Sequence, residues 1–210
     1  MKKIVYVYIL DGMADWELGY IMSAINMKSI PNKGNKKYCI KTVGSNKEPI
    51  HTLGGLTILP DSSVDEIKKS EMAALLLPGS DKWDEPKHKI ILEKIKMYMD
   101  KEILVAAICG ATLALANLGI LNTHLHTSNS IEYLNYFSEI YTGEDLYQND
   151  LSFVDKNLIT ANSAGGLLWA KQIMQYLKIL PNEMIEAWFN YYSTGDPKYY
   201  MELLSLSTEV

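Results

Sequence analysis

Arginine is missing altogether: all 20 basic residues of this 210-residue chain are lysines. Without a guanidinium fork, carboxylates and phosphates cannot be gripped bidentately, so any anion site has to use backbone N–H groups or Lys. Positive charge is in deficit as well, 20 basic against 25 acidic residues for a formal net charge of -5. That leaves no electrostatic footprint for a phosphate backbone, and nucleic acid is not an expected partner. Cysteine is scarce, with only Cys39 and Cys109. A secreted disulfide scaffold is thereby excluded and a reducing, cytoplasmic setting expected, in which a thiol is free to do chemistry. Long apolar runs are missing too: nothing approaches the ~20 uninterrupted residues of a membrane span. The start, Met1-Lys2-Lys3 followed by Ile4 to Leu10, has the outline of a signal peptide. Its apolar run is short, β-branched and aromatic, lacks a small-residue cleavage site and is followed by Asp11, Asp15 and Glu17, so it reads as a buried first strand.

What is present is a chain of ordinary globular composition, 48% apolar and 21% charged, long enough to bury a real core. Strand-like runs alternate with helical spacing, the pattern of a mostly parallel sheet covered on both faces. After the first strand, Leu18, Ile21, Met22 and Ile25 recur at helical spacing up to Pro31-Asn32-Lys33-Gly34. A strand over Tyr38 to Val43, a small hairpin around Leu53-Gly54-Gly55 and a short strand ending at Leu59-Pro60 follow. Ala73 to Leu77 is a continuous apolar run stopped by Pro78-Gly79, which predicts a central strand with a loop at its carboxyl end. A helix over about Lys87 to Met99 precedes a strand at Ile103 to Ile108.

The second half is less regular. Ala111 to Leu121 reads as a helix, His124 to Ser128 as a short extended piece, and Asn129 to Asp150 as a polar, aromatic segment. Phe153-Val154 and Leu158-Ile159-Thr160 suggest a hairpin turning at Asp155-Lys156-Asn157, and a core helix is expected over about Gly166 to Leu180. The tail from Pro181 to Val210 is too rich in aromatic residues for disorder. It predicts a helical cap on the domain or an oligomer interface. One domain is expected, residues 1–180 with 181–210 as its helical extension.

Chemistry concentrates at Leu104-Val105-Ala106-Ala107-Ile108-Cys109-Gly110-Ala111-Thr112. A buried strand runs straight into a helix, and the junction is a cysteine with small neighbours, the layout of a nucleophile elbow. The free N–H groups at the helix start are expected to lower the thiol pKa and to stabilise an oxyanion or a sulfinate. The alternative is a small buried apolar residue. Ser163, in Ala161-Asn162-Ser163-Ala164-Gly165-Gly166, lacks the G-x-S-x-G context and reads as pocket rim or helix cap. Gly54-Gly55 reads as a hairpin turn, and Cys39 as inert strand packing.

Several stretches together resemble the ThiJ/PfpI superfamily, the class I glutamine amidotransferase-like group that includes intracellular proteases or amidases and the Parkinson-associated deglycase. They are DGMADWELGY at 11 to 20, GLTILPD at 55 to 61, ALLLPGSDKW at 74 to 83, AAICGATLALANLGIL at 106 to 121, HTSN at 126 to 129 and LITANSAG at 158 to 165. The resemblance implies a flavodoxin-like three-layer α/β sandwich with a mostly parallel central sheet and the site at the strands' carboxyl ends. It makes Cys109 the nucleophile and Glu17 the carboxyl that meets it. A carboxyl in a partly apolar pocket has a raised pKa and, when protonated, can hydrogen-bond a thiolate. Read alone, Glu17 is more readily a first-turn acid complementing a helix dipole. Gly79 and Gly110 would supply oxyanion-hole amides, although Gly79 is also what a plain strand-ending turn requires.

Departures from the pattern matter. Protease-like members carry a histidine directly after the cysteine, where this chain has Gly110. His126 is the candidate general base, yet the family position could fall on Ser128, and a strand-edge histidine bonded to backbone is the bland alternative. His124 and His126 together suggest metal binding only if a third ligand exists, and no third ligand stands at recognisable spacing. The resulting expectation is a cysteine-dependent hydrolase, amidase or glyoxalase/deglycase acting on a small-molecule or peptide-like electrophile, with no metal or organic cofactor and with a homodimeric assembly. Two other classes stay open: a redox-sensing stress protein working through Cys109 oxidation, and a non-catalytic binding module on the same fold.

Overall fold

In the computed structural model, residues 3–27 and 38–208 are described. The expected stop of the first helix at Pro31 to Gly34 lies outside them. The elements are β1 (Lys3–Tyr8), α1 (Asp15–Asn26), β2 (Tyr38–Gly44), β3 (Ile50–His51), β4 (Thr57–Ile58), β5 (Ser62–Ser63), β6 (Met72–Leu77), α2 (Lys89–Met99), β7 (Leu104–Ile108), α3 (Gly110–Ala116), α4 (Ile131–Phe137), β8 (Ser152–Asp155), β9 (Leu158–Ala161), α5 (Gly166–Leu177), α6 (Asn182–Thr194) and α7 (Pro197–Thr208). The main sheet runs β5-β2-β1-β6-β7-β9-β8, parallel except for β8, which returns antiparallel to β9; β3 and β4 pair as a separate hairpin. This is the mostly parallel sheet that the alternating pattern predicts, in the flavodoxin-like α/β sandwich that the resemblance implies.

Burial explains the sequence of the central strands. Every residue of β7, and Ala74 to Leu77 of β6, is buried, because helices cover both sheet faces and leave no polar side to alternate with. The core continues through Trp169 of α5 and Trp188 of α6. The aromatic tail is two helices: α6 packs on α5, and its Trp188 meets the Tyr20 ring of α1 edge to face at 6.0 Å. Among the described residues, most buried polar groups inside this core are paired, with Trp169 Nε1 and His88 Nε2 among the exceptions. The Tyr8 hydroxyl, for example, shares a 2.6 Å bond with His88 Nδ1 just before α2.

Two expectations in the second half need correction. The helix predicted over Ala111 to Leu121 stops at Ala116, and a short 3₁₀ turn over Ile120 to Asn122 follows left-handed Gly119 at φ 71°. Glycine is the residue that ends a helix this way without steric cost. The expected extended piece at His124 to Ser128 is reduced to one isolated bridge between His126 and Tyr147. The polar segment after it contains α4, whose Ser130 N-cap accepts the Tyr133 N–H at 3.0 Å. Among the described residues, no helix is long and apolar enough to cross a membrane.

Candidate active site

The site is assembled where β1, β6 and β7 end. Cys109 stands between β7 and α3 with φ 56° and ψ -125°, a backbone conformation that costs a non-glycine residue roughly 1–3 kcal/mol. It is held there from both sides. Its N–H donates to the Ala161 carbonyl at 2.9 Å, and its own carbonyl accepts the Thr112 hydroxyl at 2.6 Å. A Cβ at Gly110 would collide with the Ser80 carbonyl, so the elbow requires glycine at that position.

Glu17, in the first turn of α1, is fully buried. The hairpin of β3 and β4 pins the chain leading into this turn: Gly54 N–H donates to Asp15 Oδ2 at 2.6 Å and Leu53 N–H to the Met13 carbonyl at 2.9 Å. Glu17 Oε2 accepts the Gly79 N–H at 2.5 Å. Oε1 is buried with no other partner among the described residues and is left to the Cys109 thiol. Gly79 is what lets the two meet. A Cβ there would lie 2.6 Å from Cys109 Cβ, 2.7 Å from Glu17 Oε1 and 2.9 Å from Cys109 Sγ.

Burial raises the Glu17 carboxyl to about 7, against the opposing pull of the Gly79 N–H and the thiol. Burial also pushes the Cys109 thiol up. The Asn129 amide and the Gly110 N–H act against that rise, and the Glu17 carboxylate reinforces it. The lowered thiol pKa expected from the elbow is therefore corrected: desolvation outweighs the two donors. Each group acts on the other, Glu17 raising the thiol and the thiol opposing the rise of Glu17.

Three further corrections concern the expected roles. The Gly79 N–H, expected as an oxyanion donor, is donated to Glu17 Oε2, whereas the Gly110 N–H acts to lower the Cys109 thiol pKa. His126 is fully buried with both ring nitrogens engaged, Nδ1 donating to the His124 carbonyl at 2.7 Å and Nε2 accepting the Tyr141 hydroxyl at 2.8 Å. Its ring is enclosed edge-on by Tyr141 and Tyr147, and burial lowers its pKa, so the structure does not bring it to Cys109 as a base. Ser128 is turned to the Thr112 hydroxyl at 2.7 Å.

The side chain that does reach the thiol from the HTSN stretch is Asn129, with Nδ2 donating to Sγ at 3.4 Å. Sequence reasoning passes over it because a carboxamide does not titrate; its only signal was membership in that stretch. Beside the thiol, Ser80, Gly110 and Tyr133 open onto a groove of about 1080 Å³ walled by Trp83, Leu113 and Phe137. Burial, and secondarily the charge on Cys109, raises the Tyr133 pKa. A shallower hollow of about 500 Å³ lies at the opposite, amino-terminal ends of the strands, among Lys3, Met72 and Ile103.

The DJ-1/PfpI family model matches residues 3–176. The chain belongs to the DJ-1/PfpI family. Two Bacillus subtilis relatives support this. "Uncharacterized protease YoaZ" is 37% identical over 201 residues, covering 96% of each chain, and "Uncharacterized protease YdeA" is 34% identical, covering 89% of this chain and 88% of the relative. The ThiJ/PfpI family protein from Bacillus anthracis superposes with a TM-score of 0.92 at 36% identity, over 98% of this chain and 97% of the other. A DJ-1 superfamily protein from Agrobacterium tumefaciens gives 0.79 at 26% identity, over 93% and 99%. Within this DJ-1/PfpI chain the elbow, the buried acid and the Pro78-Gly79 loop come together, whereas the expected histidine is replaced at the thiol by a carboxamide.

Proposed function

We propose that this DJ-1/PfpI protein is a cysteine-dependent enzyme of the hydrolase, amidase or glyoxalase/deglycase type, with Cys109 as nucleophile and Glu17 as its proton partner. The observation that carries the reading is the Glu17 carboxyl, buried and otherwise unpartnered at Oε1, set against the thiol across Gly79. An acid raised to about 7 exchanges protons readily near neutral pH. The thiol proton passes to the Glu17 carboxylate as Sγ attacks an electrophilic carbon. The new S–C bond forms, the carbonyl π pair moves onto oxygen, and the Gly110 N–H receives the developing charge. The protonated Glu17 then returns its proton to the substrate's oxygen or leaving atom. A small-molecule or peptide-like electrophile would enter by the groove along Tyr133.

The test is iodoacetamide labelling of Cys109 against pH, read by mass spectrometry, with Cys39 as internal control. A coupled pair gives two inflections in the wild type, the first near 7, and Glu17→Gln leaves one. An identical single inflection in both proteins, or a folded protein in which Cys39 is labelled and Cys109 is not, would overturn the reading.

A further inference from the structure

The loss of Gly79 as an oxyanion donor raises the question of what replaces it. We infer that the second oxyanion donor of this site is the side-chain amide of Asn129, acting with the Gly110 N–H. The assignment rests on Cys109 being the nucleophile, and its test separates the two claims.

The carboxamide has one orientation consistent with its surroundings. Asn129 Oδ1 accepts the Ser163 N–H at 2.9 Å. Turned the other way, an NH₂ group would face that N–H, two donors with no acceptor between them. The Ser163 backbone therefore holds the amide with Nδ2 toward Sγ, at 3.4 Å. Nδ2 carries two hydrogens, and no protein acceptor other than the thiol is present for them among the described residues. An addition to a carbonyl bound at Sγ develops its negative oxygen about a bond length and a half from the sulfur, within reach of these hydrogens and of Gly110. A neutral donor aimed at the place where charge appears stabilises the transition state without taking part in proton transfer. This also explains how the site dispenses with a histidine: proton transfer falls to Glu17 and charge stabilisation to an amide that is fixed before substrate arrives.

Two chemical probes distinguish this role from a structural one. Acylation by p-nitrophenyl acetate forms the S–C bond, places the carbonyl pair on oxygen and then expels p-nitrophenolate, leaving a thioester on Cys109. Alkylation by iodoacetamide forms an S–C bond with loss of iodide and passes through no oxyanion. Both are followed at Cys109 by mass spectrometry, above the pH at which the thiolate is fully formed. Asn129→Ala is expected to slow acylation about a hundredfold or more, the effect of deleting one oxyanion donor, while alkylation changes by less than threefold. Asn129→Asp, which keeps the acceptor for the Ser163 N–H, is expected to lose acylation at least as severely. Equal slowing of both reactions, or unchanged acylation in folded Asn129→Ala and Asn129→Asp, overturns the Asn129 assignment and leaves the nucleophile standing. A folded wild-type Cys109 inert to both probes overturns the nucleophile itself and the assignment with it.

Discussion

Glu17 and His126 are both fully buried titratable side chains, and their surroundings could hardly differ more. Each nitrogen of His126 has a partner of the right sense, a carbonyl for Nδ1 and a hydroxyl for Nε2. Glu17 has one oxygen satisfied by Gly79 and the other facing a thiol. Saturated bonding makes a buried histidine a structural pin, because any proton transfer would break a bond already made. An open valence beside a nucleophile makes a buried acid a reagent. Burial alone identifies neither; the count of unmet bonds tells them apart.

That contrast can be broken from either side. The largest separation is expected between Cys109→Ala, which abolishes labelling and turnover at the site, and His126→Phe, which leaves Cys109 labelling within twofold of wild type. The His126→Phe cost appears in stability instead. It strands the His124 carbonyl and the Tyr141 hydroxyl, for about 1–3 kcal/mol each, measured by denaturant unfolding. Gly79→Ala should act on both properties, since its Cβ enters the contact between Cys109 and Glu17. Overpacking is expected to cost about 1–3 kcal/mol and to slow Cys109 alkylation at least tenfold; wild-type alkylation in this variant would show that the close contact is dispensable. The smallest effect is in pH dependence. Because the folded Glu17 carboxyl is raised from 4.5 to about 7, its contribution to stability is fully present below 4.5 and is lost as pH rises through 7. Relative to Glu17→Gln, wild-type stability should therefore fall by about 2 kcal/mol between pH 5 and 8. Parallel stability curves for the two proteins would place Glu17 outside the buried pair.

The first half of the fold is far more legible from sequence than the second. Ala73 to Leu77 and Leu104 to Ile108 are uniformly apolar because both sheet faces are covered, and Pro78-Gly79 and Cys109-Gly110 punctuate them unmistakably. Between Asn129 and Asp150 no periodicity survives, because α4 buries only Leu134 and most of its other residues are turned outward. Its start is set by the Ser130 cap, a signal shared by many loops. At the site, Cys109 was readable as a residue type in context, and Glu17 only through the family resemblance. His126 was misjudged, since its partners Tyr141 and Tyr147 arrive from a segment with no readable structure.

Sequence by itself determined that the chain forms a mostly parallel α/β sandwich with a strained cysteine at a strand end and an acid at the first turn of the opening helix, because apolar periodicity and small-residue turns are local properties. Only the tertiary structure decided what surrounds the thiol. Which side of Glu17 meets Gly79, which amide Ser163 orients and whether His126 faces Cys109 or Tyr141 depend on contacts between segments 15 to 62 residues apart. No local pattern encodes such contacts; they follow from how the strands are ordered in the sheet and from where the connecting loops must then pass.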